Sequence, residues 1–275
     1  MKSVLRQSDG SLAYVTNPQF EPPCTPFAND HAEMIDYAGR NWIDCVYPEG
    51  VVDEKKNRGC HQTYHFDDVA VQRDRFDRNH AGTNDHDLVS AINAAIAVLL
   101  GRPAPPPFSI KDKKEALFML AHLVGDLTQP LHVGALYLDE KGSASDPDVT
   151  HTIDPSTETA GGNLILDNGK PFHSEWDDIP GDLGDTAPPD LVTFAKAVAP
   201  DHGRIENWAA AWATDTILVA QEALVGTSYA KTGDNKWSIT FVDRAAYDRA
   251  ADAIKRKQLA KAGAHLAEIM NTIWP

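Results

Sequence analysis

From Asp30 the chain reads Asp-His-Ala-Glu-Met-Ile-Asp-Tyr-Ala-Gly-Arg-Asn-Trp-Ile-Asp. A good N-cap residue is followed by Met34, Ile35, Ala38 and Trp42 at helical spacing, which predicts a helix reaching Asp44. Residues 87–100 are apolar nearly all round and end at Gly101, the pattern of a buried helix. After the proline-rich break at 103–109, a second strong helix starts near Ile110. It runs through Lys113, Glu115, Leu117, Phe118, Leu120, Ala121 and Leu123 until Pro130 limits it. The later part predicts helices at roughly 172–178, 189–198, 204–225 and 243–273, the last with Ala250, Ile254, Leu259, Leu266 and Ile269 on its buried side.

Between these runs the pattern breaks down. Residues 1–30, with Pro18, Pro22, Pro23 and Pro26, read as an irregular N-terminal arm, and residues 47–64 as a charged surface loop leading into Tyr64-His65-Phe66-Asp67-Asp68. The stretch 138–170 is rich in Gly, Ser, Asp and Thr and supports at most a short hairpin around Leu164 to Leu166, so it reads as a long active-site-type loop. The expected architecture is mainly α: one helical domain over 31–275 with long loops, and the arm before it.

Composition narrows the function classes. A chain of 275 residues with 42% hydrophobic content can bury one substantial core. Its formal charge of -15 disfavours a protein that grips duplex nucleic acid through a basic face, because phosphate would be repelled. Chemistry on a phosphodiester then needs local positive charge, which bound metal cations supply. Cys24, Cys45 and Cys60 follow no C-x-x-C spacing, so neither a dense disulfide scaffold nor a cysteine zinc site is supported. No apolar run is long enough to span a bilayer, and residues 1–20 lack the apolar core of a signal peptide.

The candidate chemistry lies in histidines and carboxylates. His122 and Asp126 sit four apart on the predicted helix before Pro130, which puts both on one face. His173 and Asp177 repeat that spacing on another predicted helix, and His132 follows the Pro130 break closely. The flanks of His122 and Asp126 in Ala-His-Leu-Val-Gly-Asp-Leu-Thr-Gln-Pro-Leu-His are apolar, and charges in such surroundings need partners. A cation serves several of them at once, and imidazole nitrogen with carboxylate oxygen suits zinc. Other features have plainer readings. Trp208 and Trp212 read as core, His151 as an exposed loop residue, and Asp67 and Asp68 either as orienters of His65 or as a solvated acidic turn.

Four segments in order resemble the S-one/P-one-type zinc nucleases, which share a helical fold with the zinc-dependent phospholipases C. They are Asn41-Trp-Ile-Asp44, Tyr64-His65-Phe66, His122-Leu-Val-Gly-Asp126-Leu-Thr-Gln-Pro-Leu-His132, and Gly161-Gly162-Asn163 with Phe172-His173-Ser-Glu-Trp-Asp177. The resemblance implies that Asp44, His65, His122 and Asp126 hold one zinc, and that His132, His173 and Asp177 hold a second with an open position for water. It assigns catalytic roles to Asp44 and Asp126. It implies that Phe66 stacks on a nucleobase whose edge Gly161 and Asn163 read, which needs an unpaired base. The implied activity is hydrolysis of RNA, single-stranded DNA and 3'-nucleotides to 5'-phosphate products by a metal-activated water, in a secreted or periplasmic protein without a membrane span.

Two departures from that pattern stand out. The Trp-Gly-x-x-Gly-His opening that helps hold a third zinc has no counterpart here, so only Asp126 of that site is matched. Tyr47 also stands where an arginine usually grips phosphate. Phospholipase C activity and a catalytically weak member with two metals are the alternative readings.

Overall fold

The computed structural model describes residues 60–275 apart from 107, 109, 111 and 185. The expected helix over 30–44, Asp44 itself, Tyr47, Cys24, Cys45 and the arm lie outside the described residues. Among those described, the chain is mainly helical, with seven α-helices and eight short strands. They divide into two compact units. One holds the described residues up to His65, with Asp85–Asp126 and His265–Pro275; the other holds Phe66–Asn84 and Leu127–Ala264.

The first unit is built on α1 (Leu88–Leu99) and most of α2 (Lys113–Thr128). Asp87 caps α1 by accepting from Ser90 N at 2.9 Å, and the helix stops before Gly101, whose φ is +81°. Nine of the twelve residues of α1 are buried, which is why its sequence shows almost no polar face. Asp112 accepts from Lys114 N and Glu115 N, so α2 begins slightly later than the apolar pattern alone suggests. The segment Cys60–His65, expected as loop, forms a 3₁₀ turn packed on α1. Tyr64 anchors it by burying its ring against Phe108, centroids 4.8 Å apart.

The second unit centres on Leu131, Leu138, Ile165, Phe172, Trp176, Ala220 and Trp237. Its helices are α3 (Pro130–Val133), α4 (Phe172–Asp177), α5 (Pro189–Ala197), α6 (Trp208–Ala223) and most of α7 (Arg244–Ile273). The strands β1 (Val69–Ala70) and β2 (Gly134–Ala135) pair in parallel, and β3 (Tyr137–Leu138) pairs with β4 (Ala144–Ser145). A four-stranded sheet runs in the order β6 (Lys170–Pro171), β5 (Ile165–Asp167), β8 (Lys236–Phe241), β7 (Thr227–Gly233). The expected hairpin near 164–166 is the β5–β6 pair. The β7–β8 hairpin is an addition to it. Trp237 and Ile239 alternate inward along β8, and the turn at Asp234-Asn235, with Asn235 at φ +50°, closes it. Gly134 permits a close approach in this unit, since a Cβ there would stand 2.4 Å from the Ala220 methyl. Trp208 and Trp212 are buried as expected, while His151 is exposed.

Candidate metal centres

Pro130 terminates α2 and opens α3, whose first position needs no N–H. Just upstream, His122 and Asp126 stack on one face of α2 by their four-residue spacing. His65, the last residue of the 3₁₀ turn, meets them. Asp126 Oδ2 lies 2.7 Å from His65 Nδ1 and 3.1 Å from His122 Nε2, and the two ring nitrogens are 3.1 Å apart. The imidazoles stand edge to face at 87°. Two nitrogens and a carboxylate oxygen therefore converge on one point, in surroundings that leave the Asp126 side chain only 17% exposed.

In the second unit His132 projects from α3, and His173 and Asp177 from α4. Asp177 Oδ1 lies 3.3 Å from His132 Nε2 and 3.5 Å from His173 Nε2. The ring centroids are 4.9 Å apart with the planes tilted 31°. His173 Nδ1 donates to the Gly161 carbonyl at 2.7 Å. A carbonyl only accepts, so in the neutral ring the lone pair is left on Nε2, facing Asp177. Gly161 is held at φ +57°, and a Cβ there would stand 2.7 Å from the Leu131 carbonyl oxygen. Glycine is thus required where the loop presents its carbonyl to His173.

Asp177 is oriented from another side by Gln129, whose amide donates to Oδ1 at 2.9 Å while its oxygen accepts from Leu131 N at the start of α3. One side chain thereby links the elements carrying His132 and Asp177. Burial pulls the Asp177 carboxyl upward, but His132, His173 and the Gln129 amide outweigh it and hold it below its usual range. Nearby, Asp67 N donates to the His132 carbonyl at 2.7 Å, tying the segment after His65 to α3. The Asp68 carboxyl is pushed up to about 7 by burial and by the charge of Glu158, against the opposing pull of His132.

Both groups suit a borderline cation such as zinc: each offers two imidazole nitrogens and one carboxylate oxygen, with all ligand atoms within 4.8 Å of one another. The six predicted ligands among the described residues thus fall into two sets of three, while Asp44 lies outside them. Phe66 is half-buried. Asn163 is exposed, with its amide donating to the Ala160 carbonyl at 2.9 Å. Gln129 lies inside the central motif, but its partner Asp177 is 48 positions away and local spacing gives no sign of that meeting. No helix among the described residues is long and apolar enough to cross a membrane.

A family model described as S1/P1 nuclease matches residues 32–275. A search of curated proteins finds no match. The match spans nearly the whole chain and includes every residue expected from the sequence to bind metal, Asp44 among them, so this protein belongs to the S1/P1 nuclease family, metal-dependent hydrolases of phosphodiester bonds in nucleic acid.

Proposed function

We propose that the protein is a zinc-dependent nuclease that hydrolyses single-stranded DNA and RNA, and 3'-nucleotides, to 5'-phosphate products. The observation that carries this reading is the convergence of two separate His-His-Asp groups, each joining an i,i+4 pair to a histidine distant in sequence. His65, His122 and Asp126, with Asp44, would hold one zinc, and His132, His173 and Asp177 a second. Bound zinc supplies a water whose pKa falls towards about 7 and offsets charge on the phosphate oxygens. The chain's own part is to fix ligand orientation. Gly161 sets the His173 tautomer, and Gln129 holds Asp177 against α3. Phe66 would offer a stacking face to an unpaired base, with Gly161 and Asn163 reading its edge, and this restricts the substrate to single strands.

The acidic composition agrees with phosphate being met by metal rather than by a basic surface. The test measures zinc per chain and hydrolysis of single-stranded DNA on one purified sample, with phosphatidylcholine assayed beside it. Two or more zinc ions with DNA cleavage are expected. Cleavage of the lipid alone would move the assignment to a phospholipase C, and a protein that binds no zinc would overturn it.

A further inference from the structure

The last carbonyl groups of a helix lack intrahelical partners, and a short helix has little interior to hold its end in place. α4 is six residues long and ends at Asp177, with Asp178 N donating to the Ser174 carbonyl at 3.2 Å as its closing bond. Beyond that bond, Lys255 on α7 reaches the carbonyl end. Its Nζ donates to the carbonyl of Glu175 and, at 3.0 Å, to that of Asp178. These two carbonyls bracket Asp177 in sequence. The ammonium also lies over the Trp176 ring, 5.8 Å from its centroid.

Lys255 differs from its neighbours on the same helix. Arg244 and Arg256 reach side chains: Glu175, Asp167 and Asp248 for the first, Asp182 and Asp252 for the second. Solvent-screened pairs of that kind hold little. Lys255 is half-buried and takes hold of main chain. Burial lowers its pKa from the usual lysine value, against the raising pull of Asp178, Glu175, Asp252 and Asp177.

We propose that Lys255 is a positioning residue for the second metal site: by closing the carbonyl end of α4 it fixes the backbone from which Asp177 reaches the metal. This rests on His132, His173 and Asp177 being a zinc site. Removing the ammonium would leave the last turn of α4 free to fray, so that the Asp177 backbone is no longer fixed although Gln129 still reaches its carboxylate.

The test is zinc affinity by chelator competition on the full chain, with the melting temperature of the zinc-free protein and the kcat and KM for single-stranded DNA. Lys255→Met should weaken one zinc by about 10- to 100-fold, leave the other as in wild type, and lower kcat more than KM. Lys255→Arg, which keeps charge and donors, should restore affinity. In an Asp177→Ala background, Lys255→Met should have no further effect on zinc, because the group it positions is gone. Should Lys255→Met fail to fold, Lys255→Gln, an uncharged amide on a shorter stem, takes its place and should also weaken one zinc. Wild-type affinity at both sites together with a lower melting temperature would overturn the proposal and leave Lys255 a scaffold residue. Zinc lost in Asp177→Ala but retained in Lys255→Met overturns the role of Lys255 alone, whereas equal zinc in wild type and Asp177→Ala overturns the metal site and this role with it.

Discussion

The two His-His-Asp groups use the same residues at the same helical spacing, yet they differ in how closed they are. In the first, His65 and His122 approach a single oxygen of Asp126 at 2.7 and 3.1 Å, and that carboxylate side chain is 17% exposed. In the second the matching distances are 3.3 and 3.5 Å, and the Asp177 side chain is 49% exposed. Part of the cause lies in the helices that carry them. Asp126 stands within a sixteen-residue helix, whereas Asp177 is the last residue of a six-residue one. Both carboxylates stand in the last turn of their helices, but the one backed by a long run of preceding turns is held by the backbone ladder, while the one ending a short helix depends on neighbours such as Gln129. Closure suits holding a metal, and openness suits admitting water and phosphate.

The largest effect that would break this contrast comes from Asp126→Ala. It removes the oxygen on which two histidines converge, and several kcal/mol of charge stabilisation should go with the metal. Hydrolysis of single-stranded DNA should fall on the order of 10³-fold or more, with loss of zinc by elemental analysis. Full activity in that variant would remove the assignment of the closed group.

A smaller effect sharpens the contrast from the open side. Gly161→Ala places a side chain at φ +57° and against the Leu131 carbonyl, so a cost of about 1–3 kcal/mol is expected in denaturant unfolding. The carbonyl that orients His173 should move with it, weakening one zinc by about 10-fold or more and leaving the other. Equal weakening of both would show that the two groups are not independently supported.

The smallest effect is electrostatic. Asp68 carries a pKa raised from 3.8 to about 7, so folding favours its neutral form. That stabilisation is fully present below about pH 4 and is lost as pH rises through 7. Asp68→Asn, which cannot ionise, should lack this loss. Compared in chelator-treated protein, the variant should gain on wild type by about 2–3 kcal/mol between pH 5 and 8. A gap that shrinks over that range would contradict the raised pKa.

Much of this was legible in the sequence, for physical reasons that differ from place to place. The helices at 88–99, 113–128 and 244–273 announced themselves through caps, apolar spacing and Pro130, all of which are local signals. The i,i+4 pairs were equally local, and the helix alone puts each on one face. The β7–β8 hairpin was missed because its inward residues, Tyr229, Trp237 and Ile239, are diluted by Thr, Ser and Lys on the other face. The roles of Gln129, Lys255 and the Gly161 carbonyl could not be read at all. Each acts on a residue 12 to 80 positions away, and nothing in local spacing encodes that meeting.

The proposed ligand sets also have a topological meaning. His65 and Asp126 are separated by 61 positions, and His132 and Asp177 by 45. A cation in either group would act as a cross-link, closing a long loop that the unfolded chain must otherwise close by chance. Loop entropy grows only with the logarithm of length, so these two cross-links differ by merely about 0.3 kcal/mol. Metal binding of this kind is also folding free energy, and stripping the chain should loosen it as cutting two staples would. With chain entropy nearly equal for these two pairs, any difference in how tenaciously the two groups would keep a cation must come from ligand geometry, from a further ligand such as the proposed Asp44, and from the supports behind them.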